Sequence, residues 1–276
     1  MLQGNSTSAR LGRGIIKVGE RVPLLRSALN AAYGHYFNHA AGRARIFRGI
    51  YPDFAAAARD MPPQRLQGYD NDESAAAAVE DRRRIFPCDY PVLFWLAKLL
   101  PDSNLLFDWG GNVGVTYYAY RRHLVYPPGL RWLVSDLPSV VALGRRLQQQ
   151  EPAPGLAFTS SLEELCHADI LLAAGSMHFM EDPFAGLRAA SSLPRHVILN
   201  KVPAYDRPSA VTLHYIVGAG ALCPYHLFNR SEFVSHFERL GYGLVDQWQS
   251  PDLGCHIPFF PEHSIAAYSG FYLHRA

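Results

Sequence analysis

From residue 90 to the end of the chain, short apolar runs alternate with stretches of helical spacing, and this alternation limits the fold more than any other feature. Residues 105–108, 132–136, 156–159, 170–174 and 197–202 read as strands, and two later runs, 243–248 and 270–274, complete a set of seven. Between them, residues 116–124, 139–150, 183–191 and 231–240 carry helical patterns, with an apolar helix at 92–100 in front. Strands joined through helices build βαβ units, which predicts an α/β, Rossmann-like, mostly parallel sheet with helices on both faces. Such sheets hold ligands beyond the carboxyl ends of their strands.

Composition narrows the choice further. At 49% hydrophobic and 18% charged residues, the 276-residue chain is neither disordered nor a coiled coil. A net charge of +2 makes no case for nucleic acid as partner. Four scattered cysteines without a C-x-x-C pair, and no secretory pattern at the start, suggest reduced thiols and a cytoplasmic setting. The uncharged stretch 208–229 contains His214, Pro224 and His226, which argues against a membrane span and for a loop-rich cover over a pocket.

The predicted division is a helical N-terminal appendage, 1–90, followed by the alternating domain, 91–276. Residues 1–48 hold eight Lys or Arg and one acid, Glu20, with Leu25, Ala28, Leu29, Ala32 and Tyr36 at helical spacing. A basic amphipathic helix of this kind can rest on an anionic membrane or a partner protein. Docking of its apolar face on the main domain is the simpler expectation. Residues 49–90 look irregular, broken by Pro62, Pro63 and Gly68, with a turn at 68–73 leading into a helix at 74–85.

The strongest chemical signal is Asp108-Trp109-Gly110-Gly111-Asn112-Val113-Gly114, between a predicted strand and a predicted helix. Glycines there let the backbone turn sharply and approach a ligand. A dinucleotide fingerprint ending at Gly114 would need glycine where Trp109 stands, and a Walker loop would need a following Lys-Ser or Lys-Thr. The next strand ends in another acid, Asp136.

Read as D-x-G-x-N-x-G, the segment resembles motif I of class I S-adenosylmethionine-dependent methyltransferases, with Asn112 at the middle glycine. Asn tolerates left-handed backbone angles well, so the departure is mild. The resemblance covers about residues 90–276. It implies S-adenosyl-L-methionine as cofactor, held by Asp108, Gly110, Gly111, Asn112, Gly114, Asp136, Leu137, Ser160 and Ser176, with Asp136 accepting from both ribose hydroxyls. Asp136 can also cap the helix that begins near Pro138. The late strand pair is similar to the reversed hairpin that ends the class I fold. A narrower resemblance rests on residues 47–51, 68–70, 108–114, 175–183 and 228–230. It is to a bacterial group of methyltransferase-like proteins defined by sequence and associated with surface-polysaccharide gene sets.

Methyl transfer from a sulfonium needs alignment, exclusion of water and, for a weakly acidic oxygen, a base. His178, in the loop after the fourth strand, is the leading base. Tyr225 and His226 are candidates to line the site of a small-molecule or glycan acceptor, and Tyr69 and Asp70 to fold over the cofactor. Asp206 follows the fifth strand. Cys255, His256 and His263 match no zinc spacing, and Glu181-Asp182-Pro183 reads as a helix start, so no metal is expected. Two rival readings remain: a catalytically silent methyltransferase-like module that binds a partner or membrane, and a nucleotide-sugar or NAD enzyme. Oligomeric state is not legible.

Overall fold

The computed structural model describes residues 26–39, 44–63, 68–71, 73, 76, 79–217 and 221–276. Helix α1 (Arg26–His39), strand β1 (Ala44–Tyr51) and helix α2 (Phe54–Arg59) come first. The alternating part runs α3 (Tyr90–Leu99), β2 (Leu105–Trp109), α4 (Val115–Tyr120), β3 (Arg131–Ser135), α5 (Pro138–Gln150), β4 (Leu156–Thr159), β5 (Ile170–Ala174), α6 (Ala185–Ala189) and β6 (His196–Val202). It continues through β7 (Ala204–Tyr205), β8 (Ala210–Val217), β9 (Ala221–Asn229), α7 (Arg230–Arg239), β10 (Gly243–Ser250) and β11 (Tyr268–His274).

Strands β2 and β5 are apolar at nearly every position because they are buried on both faces. Alternate residues feed two cores. Phe107, Leu133, Leu171 and Leu199 pack under α7, where Phe233 and Phe237 point inward. Leu106, Trp132, Leu172 and Ile198 pack against Val92 and Leu96 of α3 and Tyr117 of α4. The sheet order is β10-β11-β6-β5-β2-β3-β4. Strands β4, β3, β2, β5 and β6 are mutually parallel, and β11 is antiparallel to both β6 and β10. This order, with its single reversed strand next to the edge, is the class I methyltransferase fold. Progression reverses between β2 and β5, so the crevice beyond β2 lies at the topological switch point.

A second sheet departs from expectation. Its order is β1-β8-β9-β7, with β8 and β9 forming an antiparallel hairpin. The uncharged stretch expected to be a loop-rich cover is therefore mostly strand. The appendage expected to be helical supplies one edge of this sheet, across the boundary drawn at residue 90. Pro224 sits inside β9, opposite Leu213 of β8. It is tolerated because β7 reaches only Phe228 and Asn229, leaving the other edge of β9 unpaired beside it.

One face of this sheet is covered by α1 and α2 through Phe37, Ala57, Leu213 and Leu222. The residues of α1 that dock are Tyr33 and Phe37, while Ala28 and Ala32 are exposed, so the buried stripe is rotated from the predicted one. Tyr33 Oη also donates to the Phe47 carbonyl at 3.0 Å. Leu25 and five of the eight basic residues of the segment 1–48 lie outside the described residues, as does part of the helix predicted at 74–85, where a 3-10 turn forms at Glu80–Arg83. The other face carries Phe47, Tyr225 and Leu227 and meets Cys255, Ile257 and Tyr268 of the large domain. Among the described residues, no helix is long and apolar enough to cross a membrane.

Candidate functional site

The loop after β2 is shaped by what lies beneath it. Asp108 is fully buried, and its Oδ2 accepts from Thr116 Oγ1 and, at 3.0 Å, from Trp132 Nε1. Burial pushes this carboxyl up to about 6, against the pull of those two donors. Its Oδ1 is buried with no hydrogen-bond partner among the described residues. A Cβ on Gly111 would come within 2.5 Å of the carboxyl group, so glycine is required there. Gly110 has φ +73°, and a Cβ on it would stand 2.2 Å from Ser176 Cβ. Asn112 has φ 55°, as its place in the motif demands, and Gly114 with φ 79° precedes α4.

Asp136 stands beyond β3, next to this loop. Its Oδ2 accepts the Asn112 N–H at 2.8 Å and its Oδ1 the Leu137 N–H at 2.7 Å. Each carboxylate oxygen can accept twice, so two further acceptor positions remain. Desolvation and the nearby Asp70 raise its pKa, against the two N–H donors. The cap of α5 comes from elsewhere: Ser139 N donates to Asp70 Oδ1 at 3.0 Å. Asp70 belongs to a segment whose Gly68 N–H bonds the Leu222 carbonyl of the second sheet at 2.8 Å. The segment thus bridges the two sheets beside Asp136.

Ser176 Oγ donates to the Trp109 carbonyl at 2.5 Å and ties the loop after β5 to the glycine loop. The Trp109 indole, which stands where a dinucleotide fingerprint would need glycine, is turned into the core against the α6 residue Gly186. Leu137 is exposed beside Asp136, and Ser160 is exposed just past β4.

His178 is buried, with ring centroids 4.4 Å from Tyr225 and 4.3 Å from Phe179. Desolvation first, then the charges of Arg45 and His226, hold its pKa well below 6.5, so it is neutral. Tyr225 reaches the same place from β9 and donates to Tyr268 Oη at 2.7 Å. His226 is not brought in. It is the next residue on a strand and so faces the other way, against Phe54 and Phe228, with its Nε2 3.1 Å from the Glu181 carbonyl. Asp206 is exposed and pairs with Arg230. Asp182 pairs with Arg188 and accepts from Phe184 N, in keeping with a helix start. Among the described residues, no group of three or more His, Cys, Asp or Glu could hold a metal.

Sequence reasoning missed Arg45 and His214. They share with Phe47 the face of the second sheet that looks toward His178 and Phe179. Their signal, a basic residue and a histidine in apolar runs, becomes legible only once the two runs are paired.

No family model matches the chain, and no curated protein matches it. The narrower bacterial group named from the sequence thus has only the quoted residues behind it. Solved structures do resemble the chain. 1,6-Didemethyltoxoflavin-N1-methyltransferase of Burkholderia thailandensis, solved with 1,6-didemethyltoxoflavin and S-adenosylhomocysteine bound, is 17% identical. That match covers 73% of this chain and 85% of that one, with a TM-score of 0.46. The CcbJ methyltransferase of Streptomyces caelestis is 15% identical over 69% of this chain and 90% of its own, at 0.45. An S-adenosylmethionine-dependent methyltransferase of Mesorhizobium loti is 14% identical over 68% and 98%, at 0.44.

Proposed function

We propose that the chain is an S-adenosylmethionine-dependent methyltransferase acting on an oxygen of a small molecule or glycan. The observation that carries this reading is the joining of the glycine loop to Asp136 through the Asn112 N–H, at the switch point of a sheet with class I strand order. Gly110 and Gly111 let the loop lie close against Ser176 and Asp108, and the acceptor positions of Asp136 suit a pair of ribose hydroxyls. Asp108 supports the loop from below. Leu137 offers an apolar wall and Ser160 a polar one at the base end of the cofactor, and Ser176 fixes the loop facing the reactive end. The cofactor supplies the electrophilic methyl group. His178 is neutral, so its ring can take the acceptor's proton, and Tyr225 and Phe179 flank it and keep water out. His226 faces away and has no part in this proposal.

Calorimetry with S-adenosylhomocysteine tests the site. The native chain should bind it, and Asp136→Ala should lose most of the affinity with an unchanged circular dichroism spectrum. Equal binding by both would place the cofactor elsewhere, and no binding by either would remove the reading. A labelled-methyl assay over saccharide, lipid-linked and phenolic acceptors then tests turnover, where His178→Ala should be slow at normal cofactor affinity.

A further inference from the structure

The second sheet carries a cation, Arg45, that has no anionic partner among the described residues. Strand alternation puts Arg45 on the face of β1 that also presents Phe47, whose ring lies 4.9 Å from His214 and 5.4 Å from Tyr225. His214, Tyr225, Tyr268 and Cys255 are all buried, whereas Arg45 is exposed. Its surface is open to water, yet desolvation by surrounding protein is the largest influence on it. The groups whose charge acts on it are the phenols of Tyr225, Tyr268 and Tyr69 and the Cys255 thiol, with no carboxylate among them.

The hydrogen bonding of this guanidinium is one-sided. Nε donates to His214 Nε2 at 3.4 Å. An arginine N–H can only donate, so His214 Nε2 holds a lone pair and its proton sits on Nδ1. Among the described residues, that buried Nδ1 has no hydrogen-bond partner. Among the described residues, neither terminal nitrogen of Arg45 has a hydrogen bond or an ion pair. Those two nitrogens form a planar fork that matches a carboxylate in two parallel bonds.

We propose that Arg45 binds a carboxylate on the methyl acceptor, so that the substrate is a hydroxylated small acid or an acidic sugar rather than a neutral compound. The role assigned to that acid rests on the methyl-transfer reading above. Arg45 Nε lies 3.4 Å from His214 Nε2, and the rings of His214 and His178 lie 5.1 and 4.4 Å from the ring of Tyr225, so an acceptor anchored on Arg45 can turn its hydroxyl toward the base. A monoanion is favoured over a phosphate dianion because His178 and His214 are both held neutral, which leaves one positive charge to match. The buried Nδ1 of His214 offers a further polar contact to the same ligand.

The test uses the full chain saturated with S-adenosylhomocysteine and reads acceptor binding by calorimetry. The probes are glucuronate against glucose, 4-hydroxybenzoate against 4-hydroxybenzamide, and glucose 1-phosphate. At least one acid should bind more tightly than its neutral counterpart. Arg45→Gln should weaken that acid roughly 10–100-fold, with S-adenosylhomocysteine affinity unchanged, and Arg45→Lys should restore part of it. Equal binding of acids and neutral counterparts, or full acid binding by Arg45→Gln, overturns the proposal, as does tighter binding of the phosphate than of either carboxylate. Failure of the cofactor reading looks different: the acid would still bind the chain through Arg45 while S-adenosylhomocysteine would not.

Discussion

Asp136 Oδ2 accepts the Asn112 N–H at 2.8 Å, so the carboxylate beyond β3 and the left-handed residue of the glycine loop are fixed to one another. This bond crosses between two adjacent strand ends. It presets the angle of the loop against the carboxylate before any ligand arrives, and pre-organisation of that kind saves ordering cost on binding.

Asp136→Ala should therefore lose two things together: the acceptor positions for the sugar and the anchor of the loop. Hydrogen bonds to a charged group contribute roughly 1.5–3 kcal/mol each. Loss of two corresponds to at least about a hundredfold in affinity for S-adenosylhomocysteine by calorimetry. Asp136→Asn keeps one acceptor and should fall between native and alanine. Equal affinities for all three would mean that the carboxylate touches only its own backbone.

The glycine loop makes a prediction about stability. Gly110 and Gly129 both have positive φ, +73° and +90°. A Cβ at Gly129 meets nothing within 4 Å, whereas one at Gly110 would overlap Ser176. Gly129→Ala should cost about 1–2 kcal/mol from backbone strain alone. Gly110→Ala adds a collision with a side chain that is itself tied to Trp109 O, and should cost at least twice as much by urea midpoint. Similar costs would show that the Ser176 contact relaxes freely.

Asp70 links the second sheet to the crevice beyond β2 and β3 by capping α5. Asp70→Ala should cost about 1 kcal/mol, the usual value of an N-terminal cap. Hydrogen exchange should speed up at Ser139 and at residues 68–70, while β2 and β5 exchange as before. Release of the segment should also quicken dissociation of S-adenosylhomocysteine. Unchanged exchange at Ser139 would show that the carboxylate is not what holds the helix start.

The large sheet was legible because its strands are continuous apolar runs bounded by helices, and two of them, Leu156–Thr159 and Ile170–Ala174, fall on the predicted limits. The second sheet was not. Ala44–Tyr51 is broken by Arg45 and Arg48, and Ala221–Asn229 contains Pro224, which locally speaks against a strand. The strand that pairs with Ala44–Tyr51 lies more than 150 residues away in sequence, so no local pattern shows that Arg45 and His214 share a face. The motif positions were legible because glycine and left-handed Asn are demanded by the backbone itself. Proximity in sequence makes Asp136 a candidate cap of α5 beside its cofactor role, and Asp70 takes that place because its own segment, 68–71, lies against the helix start.

His178 is buried in its neutral form, and this has a consequence for stability against pH. Desolvation first, then Arg45 and His226, depress its folded pKa well below 6.5, while in the unfolded chain it titrates near 6.5. Below pH 6.5 the unfolded chain therefore binds a proton that the native chain refuses, and native stability falls as pH falls. Above that value His178 contributes nothing to the slope. His214 behaves in the same way, and Asp108, raised to about 6, acts in the opposite sense because the native chain takes up its proton first. Comparison with a variant removes these shared contributions. His178→Phe places a ring of similar size between Phe179 and Tyr225 and has no proton to gain. Its stability relative to the native chain should rise by roughly 1.4 kcal/mol for each pH unit below 6.5, down to the folded pKa, and stay level above pH 7.5. Parallel curves from pH 7.5 to 5 in urea melts would mean that His178 is protonated as easily in the folded chain as in the unfolded one, and its assignment as a neutral base would fail with it.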